Sequence, residues 1–353
     1  MTPRIAYYAH HHGRGHVARA AAVLAHVEAE ATVFTSAAVD ALEGARLVHL
    51  PPDTPAATPA SGVDGVLHYA PVGHEGVRRR MAALAAWAAA APGLLVADVS
   101  VEVALLGRLL SLPVVVVRQH GSRTDGPHRA AYRAARAVWA PYSRALAEPS
   151  APAWLRSRTH HTGGFSRLEG RAREVSTAPR HVVVMGGGGS DGVASASAWS
   201  ADDVAAAARA TPDWRWTVLG RTPRPSAPTP SVRWLGWVDD PAPVLRSASV
   251  VVSAAGHNAV MDAAAVGRPL VVIPETRPFG EQRAKAEALG RCGAALVRPC
   301  WPAPAAWPEL LDSAGRQDTA PLSALVDGGG ARRAARLLDR LARAACAPQT
   351  VAA

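Results

Sequence analysis

Three glycine-bearing loops gather the residues that can do chemistry. The first runs His10-His11-His12-Gly13-Arg14-Gly15-His16-Val17-Ala18-Arg19. Its glycines permit a tight turn, and the helix expected after it opens with unpaired backbone N–H groups. Side chains at i, i+1 and i+2 diverge and no carboxylate is near in sequence, so the histidine run is not expected to hold a metal. His16 is the better candidate, because an imidazole that titrates near pH 6.5 can take a proton at neutral pH. The alternative for it is a helix-capping role. The second loop is Gly186-Gly187-Gly188-Gly189-Ser190. Successive N–H groups without Cβ atoms can wrap a phosphate. The loop has neither a Walker ending nor a G-x-G-x-x-G spacing, so a plain turn is its alternative.

The third stretch spans Ser253 to Glu275 and reads as strand, turn, helix and strand. Gly256, His257 and Asn258 open its helix, where the free N–H groups favour an anion. Asp262, about one turn further, can accept from two vicinal hydroxyls. Downstream, Glu281 and Gln282 bring a carboxylate and an amide toward the same point. Arg118-Gln119-His120 follows a strand and is expected to wall a second ligand, with Arg118 and His120 on its surface.

Alternating elements must position these loops. Strands are expected at Arg4–Ala9, Ala31–Thr35, Leu94–Asp98 and Pro113–Arg118, with helices at Gly15–Glu28, Gly76–Ala91 and Val101–Leu110 between them. Pro51–Gly65 reads as a loop. The rhythm restarts with strands at His181–Met185, Trp214–Leu219, Ser231–Leu235, Val250–Ser253 and Pro269–Ile273, and helices at Ser200–Ala210 and His257–Val266. Such alternation implies parallel βαβ units. Regular patterning lapses over Ser157–Pro179. The expected architecture is α/β, with two Rossmann-like doubly wound domains (1–165 and 166–353) facing a central cleft. Ligands in such sheets sit beyond the carboxyl ends of the strands, where all three loops lie.

Composition agrees. At 353 residues, 49% hydrophobic and 19% charged, the chain has ample material for two cores. No apolar run is long enough for a membrane span. Met-Thr-Pro-Arg-Ile lacks a signal peptide's apolar core, so a soluble cytoplasmic protein is expected. Cys292, Cys300 and Cys346 have no metal-ligand spacing and make no disulfide framework. The formal net charge is +10, and Lys285 alone of the 38 Lys and Arg residues is lysine. That bias fits a GC-rich genome and weakens charge as a guide to partners. Nucleic-acid motifs are absent from the sequence. Arg78-Arg79-Arg80 allows weak peripheral contact with an anionic membrane, without an apolar anchor.

Gly13–Arg19, Gly186–Ser190, Ser253–Pro274 and Glu281-Gln282 together resemble a GT-B glycosyltransferase. The second half is similar to glycosyltransferase family 28, which includes the N-acetylglucosaminyltransferase of peptidoglycan synthesis. The resemblance implies an inverting transferase that needs no metal or other cofactor and takes a nucleotide diphosphate sugar. A UDP-sugar is favoured, UDP-N-acetylglucosamine among them, and the acceptor is a hydroxyl of a natural product or glycan. It further implies that Gly187, Gly188, Gly189 and Ser190, with Gly256, His257 and Asn258, hold the donor diphosphate. Trp237 and Val238 then border the base, Asp262 binds the ribose, and Glu281 and Gln282 meet the sugar. On the acceptor side stand Gly15, Arg118 and His120, and His16 lies between the substrates. Asp98, which ends its strand, is placed near His16 as in the His–Asp pairs of related enzymes; capping the next helix is its alternative. Two other functions stay open: an NDP-sugar 2-epimerase of the same fold, and a non-catalytic basic module for nucleic acid or an anionic surface.

Overall fold

Short runs rich in Val and Ala, most of them joined by helical crossovers, build two parallel sheets in the computed structural model, which describes residues 2–10, 15–53, 65–170, 180–186, 197–220, 222, 225 and 227–347. The first sheet holds β1 (Arg4–Ala9), β2 (Glu30–Thr35), β3 (Ala45–His49), β4 (Leu94–Asp98), β5 (Val114–Val117), β6 (Ala137–Ala140) and β7 (Thr159–His161). Their spatial order is β3-β2-β1-β4-β5-β6-β7. The second holds β8 (His181–Met185), β9 (Arg215–Leu219), β10 (Val232–Gly236), β11 (Val250–Ser253), β12 (Leu270–Val272) and β13 (Leu296–Val297). Here the order is β10-β9-β8-β11-β12-β13. In each sheet the chain runs outward over three strands and then returns across the first. The reversal falls between β1 and β4, where Ala9 pairs with Asp98, and between β8 and β11, where Met185 pairs with Ser253. Those reversals open the crevices in which open α/β sheets bind ligands.

Around the first sheet lie α1 (Gly15–Leu24), α2 (Glu75–Ala90), α3 (Val101–Leu109), α4 (Gly126–Ala134) and α5 (Ala153–Arg158). Around the second lie α6 (Ala201–Ala210), α7 (Ala242–Arg246), α8 (His257–Val266), α9 (Glu281–Arg291), α10 (Trp307–Gly315) and α11 (Ala320–Ser323). Strand side chains alternate between two covered faces. In the first sheet Ile5, Tyr7, Val96 and Val115 pack on one side, and Ala6, Tyr8, Leu95 and Val116 on the other. The second sheet does the same with Val183 and Val251 against Val182 and Val252.

Assigning 166–353 to the second domain does not provide for the last helix. α12 (Gly330–Cys346) sends Ala334, Leu338 and Ala342 into the core of the first sheet. Its Asp339 carboxylate accepts the backbone N–H groups of Glu28 and Ala29 at 3.1 Å. The helix expected to continue to Glu28 therefore ends at Leu24, since those amides are taken by a side chain some 310 residues downstream. Gly187–Ser190, like His11 and His12, lies outside the described residues.

Candidate active site

Asp98 ends β4 beneath the start of α1 and is fully buried. Its Oδ1 lies 3.0 Å from Nδ1 of His16. Arg19, one turn beyond His16 on the same helix face, donates to both Asp98 oxygens at 2.7 and 2.8 Å, and Tyr7 adds its hydroxyl at 2.8 Å. Burial opposes ionisation of Asp98, but Arg19 first, then His16 and Tyr7, hold its carboxyl well below the usual carboxylate range. The next residue, Val99, has a φ of +69°, a left-handed turn that a β-branched side chain rarely takes. Helix capping falls to Ser100, whose hydroxyl accepts from Val103 N–H at 3.2 Å. Asp98 is thereby free of the capping role and belongs to the His16 network. With Nδ1–H given to Asp98, Nε2 of His16 carries the lone pair.

The second domain meets this pair with the N-terminus of α8. Gly256 precedes the helix without a side-chain cap, so the first N–H groups are left for a ligand. Asn258 is exposed, and a Cβ added at Gly15 would lie 3.5 Å from its Nδ2. The two helix starts thus face each other across the cleft with only a hydrogen at Gly15 between them. His257 lies deeper, its Nδ1 3.1 Å from Nζ of Lys285 on α9. Burial, then Lys285 and Arg19, push the His257 pKa well below 6.5, so the ring is neutral.

Asp262, one turn into α8, is buried; its Oδ1 accepts from the Ser166 hydroxyl at 2.6 Å and Arg167 lies 3.5 Å from Oδ2. Trp237 and Val238 follow the end of β10, Trp237 exposed and Val238 resting on the core. Glu281 keeps a part-exposed carboxylate, 3.5 Å from Arg123. Gln282 has a bracing part in the fold. Its carbonyl accepts the amides of Ala255 and Glu275 at 3.1 and 2.9 Å, and its Nε2 donates to Glu275.

Arg118 does not wall the cleft, contrary to the expectation from sequence; it is buried and spent inside the first domain. His120 is buried too, but it lies near enough to Lys285 and His257 of the second domain to interact with them electrostatically. Arg118 donates to Glu148 at 2.9 Å. His120 places Nε2 3.0 Å from the Leu146 carbonyl and stacks on Tyr142 at 4.2 Å. Burial, then Lys285, keep it neutral.

Sequence reasoning passed over Arg19, Tyr7 and Lys285. Arg19 carried a signal, three residues after His16 in a helical pattern. Another grouping that it missed is His68, Asp125 and His128 in the first domain. His68 Nε2 and His128 Nδ1 stand 3.1 and 2.6 Å from the two Asp125 oxygens. Their residue types suit a metal, but the Arg123 guanidinium is 3.1 Å from His128 Nε2. A fixed cation so close opposes a second one. Phe279 of the second domain packs on both imidazoles, with ring centroids at 5.4 and 4.8 Å.

Comparison with known proteins bears on the fold and on the second half of the chain. Residues 223–300, which carry α8 and the Glu281–Lys285 turn, match the glycosyltransferase family 28 C-terminal domain. By sequence, no curated protein matches the chain. Among solved structures it is similar to the kitacinnamycin glycotransferase, at 18% identity and a TM-score of 0.65, over 96% of this chain and 99% of that one. MurG of Acinetobacter baumannii is similar at 14% identity and a TM-score of 0.62, over 96% and 100% of the two chains. The calicheamicin glycosyltransferase CalG4 is similar at 18% identity and a TM-score of 0.63, over the whole of both. At such identities the likeness is one of fold. Among the described residues no helix is long and apolar enough to cross a membrane. With that fold over its whole length and the family 28 match in its second half, the chain is a glycosyltransferase of the GT-B fold.

Proposed function

We propose that the chain is an inverting, metal-independent glycosyltransferase that moves a sugar from a UDP-sugar to an acceptor hydroxyl of a small molecule or glycan. The observation that carries the reading is the His16–Asp98 pair, set at the carboxyl end of the first sheet and opposite the bare N-terminus of α8. His16 Nε2 takes the proton of the acceptor hydroxyl. The acceptor oxygen forms its bond to the sugar C1 as the bond from C1 to the diphosphate oxygen breaks. The electron pair leaves with the diphosphate, and the α8 N–H groups meet the growing charge. Asp98 holds the His16 ring and stabilises it once protonated. Asp262 binds the ribose by exchanging its Ser166 contact for the sugar hydroxyls, and Glu281 receives the donor hexose.

Solved relatives of the same fold support a UDP donor. One is Phytolacca americana UGT2, seen with UDP-2fluoro-glucose and pterostilbene, and another is Arabidopsis thaliana UGT89C1, seen with UDP. The test is a thermal-shift screen of UDP-, GDP- and dTDP-sugars, followed by transfer assays. A ligand at 100 times its Kd adds about 2.7 kcal/mol of apparent stability. UDP-sugars are expected to shift the melting point most. Equal or stronger binding of dTDP-sugars overturns the ribose contact at Asp262. Conversion of a donor alone into its epimer replaces transfer by epimerisation.

A further inference from the structure

The chain's only lysine lies buried in the cleft, among positive groups, in a protein that otherwise uses arginine throughout. Lys285 Nζ is 3.1 Å from His257 Nδ1. His257 Nε2 is buried and has no hydrogen-bond partner among the described residues. An ammonium has donors and no acceptor, so it can bond Nδ1 only where Nδ1 holds the lone pair. The ring proton must then sit on Nε2, the nitrogen without a partner. We propose that Lys285 is a positioning residue that holds His257 in its Nε2–H tautomer, so that the imidazole meets the donor diphosphate as a neutral N–H donor. The part concerning the diphosphate rests on the donor reading above; the tautomer does not.

Surrounding charges explain why a neutral donor is needed. Glu281 faces Lys285 from its own helix, His257 from α8, Arg19 from α1 and His120 from the loop after β5. His257 is faced in addition by His16. Between two cations His257 cannot carry a charge of its own, and what it offers an anion depends entirely on which nitrogen bears the proton. A buried N–H left unpaired is costly, so its retention at the helix start that faces the cleft points to a ligand acceptor. Lysine suits the post better than arginine. Its ammonium is compact, donates along one direction to a single lone pair, and can be desolvated. Burial first, and then Arg19 against the pull of Glu281, bring its pKa down to about 8, so it is mostly charged at neutral pH.

Long-range ¹H–¹⁵N spectra of the full-length protein report the tautomer directly. Wild type at pH 7 is expected to show His257 as Nε2–H alone, and Lys285→Met is expected to add Nδ1–H signals. Alongside, calorimetry with UDP should show affinity weakened about tenfold or more in Lys285→Met, the size of one charge-assisted hydrogen bond. Lys285→Gln, which keeps a donor without charge, should hold the tautomer better than Met; a space-filling role predicts no difference between the two. A wild-type His257 in the Nδ1–H form overturns the proposal whether or not any variant folds, as does an unchanged tautomer in a folded Lys285→Met. If wild type fails to bind UDP while the tautomer responds, the donor reading falls and the positioning role stands.

Discussion

Nδ1 of His16 and Oδ1 of Asp98 stand 3.0 Å apart, although 82 residues separate them, because β1 and β4 are neighbours and Ala9 pairs with Asp98. The pair is not isolated. Arg19 holds both Asp98 oxygens at distances shorter than that to His16. A carboxylate already matched by a guanidinium lends less charge to the imidazole than a lone one does, so the part proposed for Asp98 is chiefly to fix the ring and its tautomer.

His16 and Asp98 should therefore fail differently. His16→Ala removes one largely buried ring at the cleft edge of α1; the variant should fold, bind donor and lose about 10²–10⁴ in kcat. Asp98→Asn leaves Arg19 as a buried charge without its partner, a loss of about 3–5 kcal/mol in stability. Melting curves and kcat measured side by side separate the two. Near-normal kcat in a well-folded His16→Ala removes it as the base.

Buried neutral histidines should make the fold sensitive to mild acid. Burial keeps His120 well below 6.5, and burial, with help from Arg123 against the pull of Asp125, takes His128 down to about 4. Below pH 6.5 the unfolded chain binds protons that these native sites refuse, so stability is full above that pH and falls as pH drops toward the folded values. Each site contributes a slope of about 1.4 kcal/mol per pH unit in that window. Asp98 works in the opposite part of the scale: its depressed pKa adds stability above about pH 4, lost only well below it. Calorimetry should show Tm falling between pH 6.5 and 5, before carboxylates titrate. A flat Tm over that interval contradicts the neutral state of both rings.

The contact between domains should be closed by a backbone approach that only glycine permits. Ser122 N–H donates to the Phe279 carbonyl at 2.7 Å, and a Cβ at Gly121, where φ is +106°, would come within 2.4 Å of that oxygen. Gly121→Ala combines clash and left-handed strain, each on the order of 1–3 kcal/mol. The expected result is a larger radius of gyration in solution scattering together with a raised KM for donor. Unchanged scattering and kinetics would show that the Phe279 contact does not set the closed cleft.

Much of this arrangement was legible in the sequence, for physical reasons that also explain the gaps. β1, β4 and α8 are short apolar runs or capped periodic stretches whose signals are local. α6 is announced by Ser200 and Asp203, which form a reciprocal capping box. β3, Ala45–His49, is only part-buried and lacks a continuous apolar run, and β6, Ala137–Ala140, follows an alanine- and arginine-rich helical stretch that blurs its start. Arg118 looked like a cleft residue because its partner Glu148 is 30 positions away, and nothing local announces a buried ion pair. Gln282 was read as a sugar contact because the amides it serves belong to two other loops. Lys285 did carry a signal, since one lysine among so many arginines is itself an anomaly.

Transfer should survive chelation. In the proposed reading the leaving diphosphate is met by the backbone N–H donors of α8, with the Arg19 and Lys285 cations behind them, and the sequence holds no Asp-x-Asp. Activity measured in EDTA should match that in buffer alone. Full loss, restored by magnesium or manganese, overturns the metal-free mechanism.

Gly15 offers the most local test of where the donor and acceptor meet. It begins α1 opposite Asn258 at the start of α8, and its added Cβ would stop at ordinary contact distance, 3.5 Å from Nδ2. Gly15→Ala should therefore leave stability within about 1 kcal/mol of wild type, the span of the glycine-to-alanine difference in helices. The cleft is another matter, because a side chain there takes up the space between the two helix starts. Alanine should raise KM modestly. Gly15→Val, with two more carbons in the same gap, should raise it about tenfold, roughly 1.4 kcal/mol of binding. Both should lower kcat less than KM rises, since His16 keeps its place one residue on. A folded Gly15→Val with the KM of wild type would mean that neither substrate passes between Gly15 and Asn258, and the reacting centre would have to be moved elsewhere along the cleft.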